Sequence, residues 1–565
     1  MSKNLPLIRL GKAYPYMRRY RRILKILVRY GFGDILERLK IEAYLRIPPS
    51  ALSKLKGKRL IRIKEAERVR MALEELGPTF IKLGQVLSLR PDLVPVGFVK
   101  EFRKLQDEGP PFGFEQVEEL IEGELGDKME GIFKQFNPVP LASASLSQVH
   151  SGVTLEGEEV VVKVQRPRIK EVVEADLEIL YNLAQQAERQ MAELRPYDPV
   201  GTVEEFSKSI RRVLDFAAEG RNIERFAHNF RDDPTVYVPG VFWKLTASKV
   251  LTVERIRGIK VSQVEELKEA GLDPGQIAIS GAQAILRQIF EYGFFHAAPH
   301  PANILVLKGN IIAPLHYGMM GHLNEEMREE LGMLLAAVIS GDVKKIVKLL
   351  LKMGVVVYET DTRRLEWEVE DLLDRHFGAA PGQLDTAKIL DEVFPLLNRH
   401  RIRLPSDFAL VGQALATAEG AGKGLDSEFN ILPLIRPYIK KLMLKRMGLK
   451  RRLKVLRGLW EDLSDLFTHL PGDLRQMLAK TKRGELVVKL EHHGFEHLTS
   501  ALDKSSNRLS FSLIIAALII GSSLVMQLNK GPQLLGFPAF GVLGFLIAGI
   551  LGLWLVVAIL RSGRL

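Results

Sequence analysis

The stretch that decides the fold is Phe294–Gly321, "FFHAAPHPANILVLKGNIIAPLHYGMMG". A loop carrying His296, His300 and Asn303 leads into a strand-like run, "ILVL". A turn at Lys308–Asn310 leads into a second run, "IIAPL", and Gly318 follows shortly after. Loop, strand pair and glycine together have the outline of a phosphate-and-metal site. Such sites hold a divalent cation on carboxylates. This stretch contains no Asp or Glu.

Working outward, Lys163 sits in "EEVVVKVQRP". Alternation puts Val160, Val162 and Val164 on one strand face and Lys163 on the other. A lysine among valines is costly to bury unless paired; an exposed edge strand is the other reading. A single helix is expected over 202–232, where Phe216, Ile223, Phe226 and Phe230 recur at helical spacing. Glu219 falls on that stripe, and a carboxylate on an apolar face needs a cation. Lys163 is the natural candidate. The small-residue loop "PLASASLSQVH" (140–150) precedes the lysine strand and lacks G-x-G-x-x-G. The glycine-rich "EGAGKGLDS" (419–427) lacks the Ser or Thr that a phosphate loop needs after its lysine, and reads as an ordinary turn. "FIKLGQVLSLRPDLVP" puts Lys82 and Gln85 on one helix face.

These segments together resemble the UbiB family of atypical kinase-like proteins, the aarF-domain group linked to ubiquinone biosynthesis. K-x-G-Q is present at Lys82–Gln85. The alanine-rich loop is "ASASLSQVH", and the strand lysine is Lys163. "LDFAAEGRN" keeps Asp215, Glu219 and Asn222. "HAAPHPAN" (296–303) and "HYGMMGH" (316–322) match the catalytic and metal-binding loops. The resemblance implies an α+β, bilobal kinase-like fold with a helical N-terminal extension. It implies nucleotide contacts at Ala142, Ser143, Ala144, Ser145, Lys163, Glu219 and Asn303. It makes Lys82, Gln85 and Asp215 a regulatory set.

The departures matter as much. Ala298 stands where the family has its loop aspartate, His316 where it has the metal-binding aspartate, Ala302 at a glycine and Val213 at the first acid of E-x-D. No catalytic residue is therefore carried over. Asn303 and His316 are weak metal candidates, and magnesium is doubtful as a cofactor while ATP or ADP is still expected. Imidazole prefers transition ions, so His296, His300, His316 and His322 raise a second metal reading. Loss of magnesium chemistry is the simpler one. The resulting expectation is a pseudokinase. An unorthodox active ATPase or kinase, and a lipid- or partner-binding protein with a vestigial cleft, are the alternatives.

The chain has 565 residues and a formal charge of +12. It has no cysteine, which excludes disulfides, zinc–thiolate sites and cysteine nucleophiles. Met17–Arg29 and Lys440–Arg457 are basic and amphipathic. They suit an anionic membrane surface or a solvated helix face. Neither aromatic interleaving nor zinc-finger spacing points to nucleic acid. Leu509–Leu528 and Phe537–Leu560 carry no charge. Each is long enough to cross a hydrocarbon layer of about 30 Å. Arg508, Arg561 and Arg564 flank the hairpin and favour cytoplasmic ends at the inner membrane. Small residues at Ala517, Gly521, Gly544, Ala548 and Gly552 suit close helix packing or a homodimer.

The expected organisation is basic helices over 1–60, the K-x-G-Q extension over 61–136, and a kinase-like N-lobe over 137–258. A C-lobe over 259–360, a helical region over 361–500 and a transmembrane hairpin over 508–561 follow. The implied partners are membrane lipids, quinone or isoprenoid lipids among them, and quinone-biosynthesis enzymes.

Overall fold

A computed structural model describes residues 13–39, 63–105, 109–297, 299–356, 360–377, 385–447, 495–528, 532–534 and 537–561. Ala298 and most of the basic run after Lys440 lie outside these residues. The chain forms two compact units, 1–452 and 453–565.

The first unit begins with helix α1 (Ala13–Arg29), followed by α2 (Glu65–Leu76) and α3 (Pro78–Ser88). The amphipathic pattern of α1 is real, but its apolar face is already used. Tyr20, Ile23, Leu24 and Val28 are buried in a cluster shared with Leu73, Phe80 and Ile179. Only the basic face, with Arg18, Arg21, Arg22 and Lys25, stays exposed. Insertion of this helix into lipid is thereby excluded in this packing, and electrostatic attraction is what it can offer a membrane.

Helix α4 (Phe114–Leu125) precedes a five-stranded antiparallel sheet. The strands are β1 (Phe133–Phe136), β2 (Ala142–Ser143), β3 (Ser147–Thr154), β4 (Glu159–Gln165) and β5 (Val250–Glu254). A tight turn joins β3 to β4, with Gly157 at φ +92°. The sheet begins at Phe133, within the expected extension. β4 lies between β3 and β5, pairing Lys163 with Val149 on one side and Leu251 on the other. The edge-strand reading of Lys163 is therefore wrong. Val160, Val162 and Val164 pack on Val117 and Ile121 of α4, so Lys163 faces the opposite way by strand alternation.

Three helices follow: α5 (Ile169–Gln190), α6 (Pro199–Val213) and α7 (Phe216–Phe230). The single helix expected over 202–232 is thus two. The break falls at Asp215, whose side chain accepts from Ala218 N at 3.2 Å and caps α7. The apolar stripe is as expected: Phe216, Ile223, Phe226 and Phe230 are buried with Phe294 and Tyr317. Each such side chain contributes about 2 kcal/mol.

The second lobe contains α8 (Pro274–Arg287) and a three-stranded sheet of β6 (Ile259–Lys260), β8 (Ile304–Leu307) and β9 (Ile311–Pro314). β7 (Phe294–His296) pairs with β10 (Met320–His322), bringing the two ends of the opening stretch together. A large helical core follows, including α9 (Glu325–Ser340) and α10 (Ser406–Leu425). Residues 419–425 close α10 and are not a turn. Glu419 and Lys423 pair one helical turn apart at 2.7 Å. Gly422 leaves room for the Phe429 ring, which a Cβ would strike at 2.3 Å.

In the second unit α11 (Phe495–Leu528) and α12 (Ala539–Arg561) pack side by side. A Cβ on Gly544 would meet Ser522 Oγ at 2.1 Å, and Ala548 is buried. These small residues serve the hairpin's own packing, whereas Gly521 and Gly552 face open space. The long exposed apolar surfaces of both helices fit a transmembrane anchor.

Candidate functional site: a lysine–glutamate pair facing two neutral histidines

Lys163 Nζ lies 2.7 Å from Glu219 Oε2. Glu219 is buried, and its other oxygen accepts from Tyr317 N at 3.2 Å. Asn222, one turn along α7, donates to Tyr317 O at 2.9 Å. The "LDFAAEGRN" segment thus holds both Lys163 and the backbone of "HYGM". Tyr317 is itself fully buried, with its hydroxyl on Pro314 O at 3.0 Å and its ring edge-on to Phe226. Burial pushes the Glu219 carboxyl up, but Lys163, its neighbouring dipoles and the His316 side bring it down to about 2. It is ionised under all ordinary conditions.

His316 stands beside this pair. Burial lowers its pKa; Glu219 opposes that, while Lys163, His296 and Lys82 lower it further, to about 3. Its ring is therefore neutral at pH 7. His296 bonds the His316 carbonyl at 2.8 Å through Nε2, and its backbone N donates to Gln288 Oε1 at 2.9 Å. Burial takes the His296 imidazole down to about 4, against smaller opposing effects of that carbonyl and of Glu219.

The alanine-rich loop is built onto the sheet that carries Lys163. Ala142 and Ser143 form β2 against β3, and Ala144 N donates to Ser147 O at 2.7 Å. Arg166 clamps the loop, donating to Ala144 O at 2.9 Å and Ser145 O at 3.2 Å while stacking on Phe112. Sequence patterns did not single out Arg166, because its role depends on contacts remote in the chain. Ser143 Oγ is buried and makes no hydrogen bond among the described residues.

Gln85 Nε2 donates to Leu105 O at 3.2 Å. Asp215 caps α7 and meets Arg221 at 3.1 Å. Val213 joins Leu83 and Val86 of α3 in one apolar cluster. Gly84 allows α3 to approach closely: a Cβ there would meet Leu105 Cδ1 at 2.3 Å and Leu73 Cδ1 at 2.9 Å.

Asn303 ends a short turn at the mouth of the cleft, exposed, with its carbonyl accepting from Leu315 N at 2.9 Å. Magnesium wants several hard oxygen ligands. The carboxylate at the centre, Glu219, is engaged by Lys163 and Tyr317 N. Among the described residues no group of three His, Asp or Glu side chains is placed to hold a metal ion. The residues present do not fit magnesium, and the four-histidine site is not assembled: the His322 ring lies against Phe294.

Residues 104–350 match the family model described as the ABC1 atypical kinase-like domain. Residues 369–430 match the UbiB helical domain, and 493–561 the ABC1/UbiB kinase-like C-terminal domain. A Clostridium pasteurianum protein, "Uncharacterized protein in hydrogenase 1 5'region", is 32% identical over 97% of this chain and 99% of its own length. "Probable protein kinase UbiB" of Pseudomonas paraeruginosa is 32% identical over 93% of this chain and 97% of its own length. Full-length similarity of this kind, in a chain that has a kinase-like cleft with its lysine–glutamate pair in place and two apolar C-terminal helices, means that the chain belongs to the ABC1/UbiB family of atypical kinase-like proteins.

Proposed function

We propose that this protein is a membrane-anchored pseudokinase that binds ATP or ADP without magnesium and acts as a scaffold or regulator in quinone or isoprenoid-lipid metabolism. The observation that carries this reading is the intact Lys163–Glu219 pair beside a neutral His316. In phosphoryl transfer the metal neutralises phosphate charge, and an aspartate orients the acceptor. Here Lys163 and Lys82 supply positive charge near His316, and the acids that would repel phosphates are replaced by Ala298 and His316. An anion can be held by lysines at a site that lacks the ligands for transfer. The anchor sets the kinase-like unit at the cytoplasmic side of the inner membrane, as the flanking arginines favour. The link to quinone metabolism rests on the name of the UbiB relatives.

Equilibrium dialysis of ATP against the solubilised protein in EDTA tests this reading. Saturable binding that Lys163→Met abolishes is expected. Steady magnesium-dependent ATP hydrolysis by the wild-type protein contradicts it and favours the unorthodox enzyme.

A further inference from the structure

Beneath the loop of His300 and Asn303, the second lobe holds a partly open cleft of about 80 Å3. Its deep wall is the contact between α8 and α10, where both helices present small residues. Ala278, Gly281 and Ala282 come from α8, and Ala418 and Ala421 from α10. Gly281 is informative. A Cβ there would meet only Ile312 Cδ1, at an ordinary 3.5 Å. A mid-helix glycine is unfavourable, and no close backbone approach requires one here. The effect of these small side chains is open space.

The second observation is charge. Among the described residues no Asp, Glu, Lys or Arg lines this cleft. Its polar groups are His296, His300, His316, Asn303 and Gln288, set among apolar side chains. Ala302 N donates to His300 Nδ1 at 3.1 Å, so a neutral His300 carries its proton on Nε2 and can donate. His316 is decisive for the charge. The aspartate that the family pattern expects there would put a carboxylate on this wall. An ionised ligand would lose its water here with no counter-charge on the lining. At the open end His300 and Asn303 are exposed and offer an imidazole N–H and a side-chain amide to a ligand oxygen.

We propose that this cleft binds an uncharged amphiphile, its apolar body between α8 and α10 and a hydroxyl or carbonyl oxygen at the His300–Asn303 end. Apolar pockets with a few convergent polar groups are the usual form of small-molecule sites. Neither Lys163 nor Glu219 lines it. His296, His316 and Asn303 are common to both sites, so the substitutions that fill the cleft are placed on α8 and α10, and Lys163→Met should leave amphiphile binding in place.

The test is photolabelling of the full chain in lipid nanodiscs with a diazirine-bearing octanol, mapped by peptide mass spectrometry. Label is expected in peptides spanning 274–288 or 418–425. Excess octanol should compete, and octanoate should not. Gly281→Met and Ala421→Leu fill the space and should each cut this label at least tenfold. Label on the hairpin, which faces lipid, should stay unchanged in both. Gly281→Ala, which adds only a methyl group, should retain the label and serves as the folding control. Undiminished cleft label in both filling variants, equal competition by octanoate, or label confined to the hairpin would each overturn the proposal.

Discussion

Lys163 Nζ and Glu219 Oε2 are 2.7 Å apart, with the carboxylate almost wholly buried and the lysine partly open to the cleft. The asymmetry decides how the pair responds to substitution. Removing one partner of a buried pair costs about 3–5 kcal/mol, because the other is left without its counter-charge. Lys163→Met should therefore destabilise the fold strongly at pH 7. Without the lysine, the Glu219 pKa rises in the folded state. The variant should then recover stability relative to wild type as the pH falls toward 4. Glu219→Gln should cost less, since Lys163 can turn to solvent. Melting temperatures of both variants from pH 7 to pH 4 check the order.

The two histidines give a second pH signature. His296 and His316 have folded pKa values of about 4 and about 3, below the usual histidine value of about 6.5. The unfolded chain thus binds more protons below about pH 6.5, and stability must fall as pH falls through that window toward the folded values. The buried His296 accounts for a loss on the order of 3 kcal/mol by pH 4. His296→Asn should flatten the stability profile between pH 6.5 and 4, even if it lowers stability at pH 7. Chemical denaturation at several pH values measures the slope.

The N-terminal layer hangs on one buried acid. Asp176 on α5 accepts from Arg19 of α1 at 2.6 and 2.8 Å and from Thr79 of α3 at 2.7 Å, and Arg19 also donates to Leu76 O. Asp176→Ala leaves Arg19 and Thr79 without their acceptor and should cost about 3 kcal/mol. The loss should be local. Hydrogen exchange is expected to rise in α1 and α3 and to stay unchanged in the helical core around α8 and α10.

Much of this site was legible in sequence, for physical reasons that differ by element. A carboxylate on an apolar stripe demands a cation, so Glu219 and Lys163 could be paired before any coordinates. Uncharged runs of transmembrane length announce α11 and α12 in the same direct way. The break at Asp215 was hidden because the apolar spacing continues in phase across it, and an aspartate can sit either inside a helix or at its cap. The use of α1 was hidden too, since an amphipathic face looks alike whether lipid or protein covers it. Arg166, the His296–His316 contact and the small-residue wall arise from contacts distant in the chain, for which no local pattern exists.

Gly84 tests how closely α3 must dock. Gly84→Ala would drive a methyl group into Leu105 and Leu73. Leucine ends can shift, so the cost should be about 1–2 kcal/mol by overpacking. Gly84→Val should cost more, since a β-branched side chain has fewer ways to avoid the same contacts. Melting curves of the two variants report the difference.

Anion recognition without metal is read out by the melting temperature of the detergent-solubilised protein with ATP or ADP, in magnesium and in EDTA. A ligand that binds the native state raises apparent stability by RT ln(1 + [L]/Kd), about 2.7 kcal/mol at a hundredfold excess over Kd. If Lys163 holds the nucleotide without metal, the rise survives EDTA and disappears in Lys163→Met, compared with that variant's own unliganded melt. A rise that requires magnesium, or none under any condition, would contradict metal-free recognition.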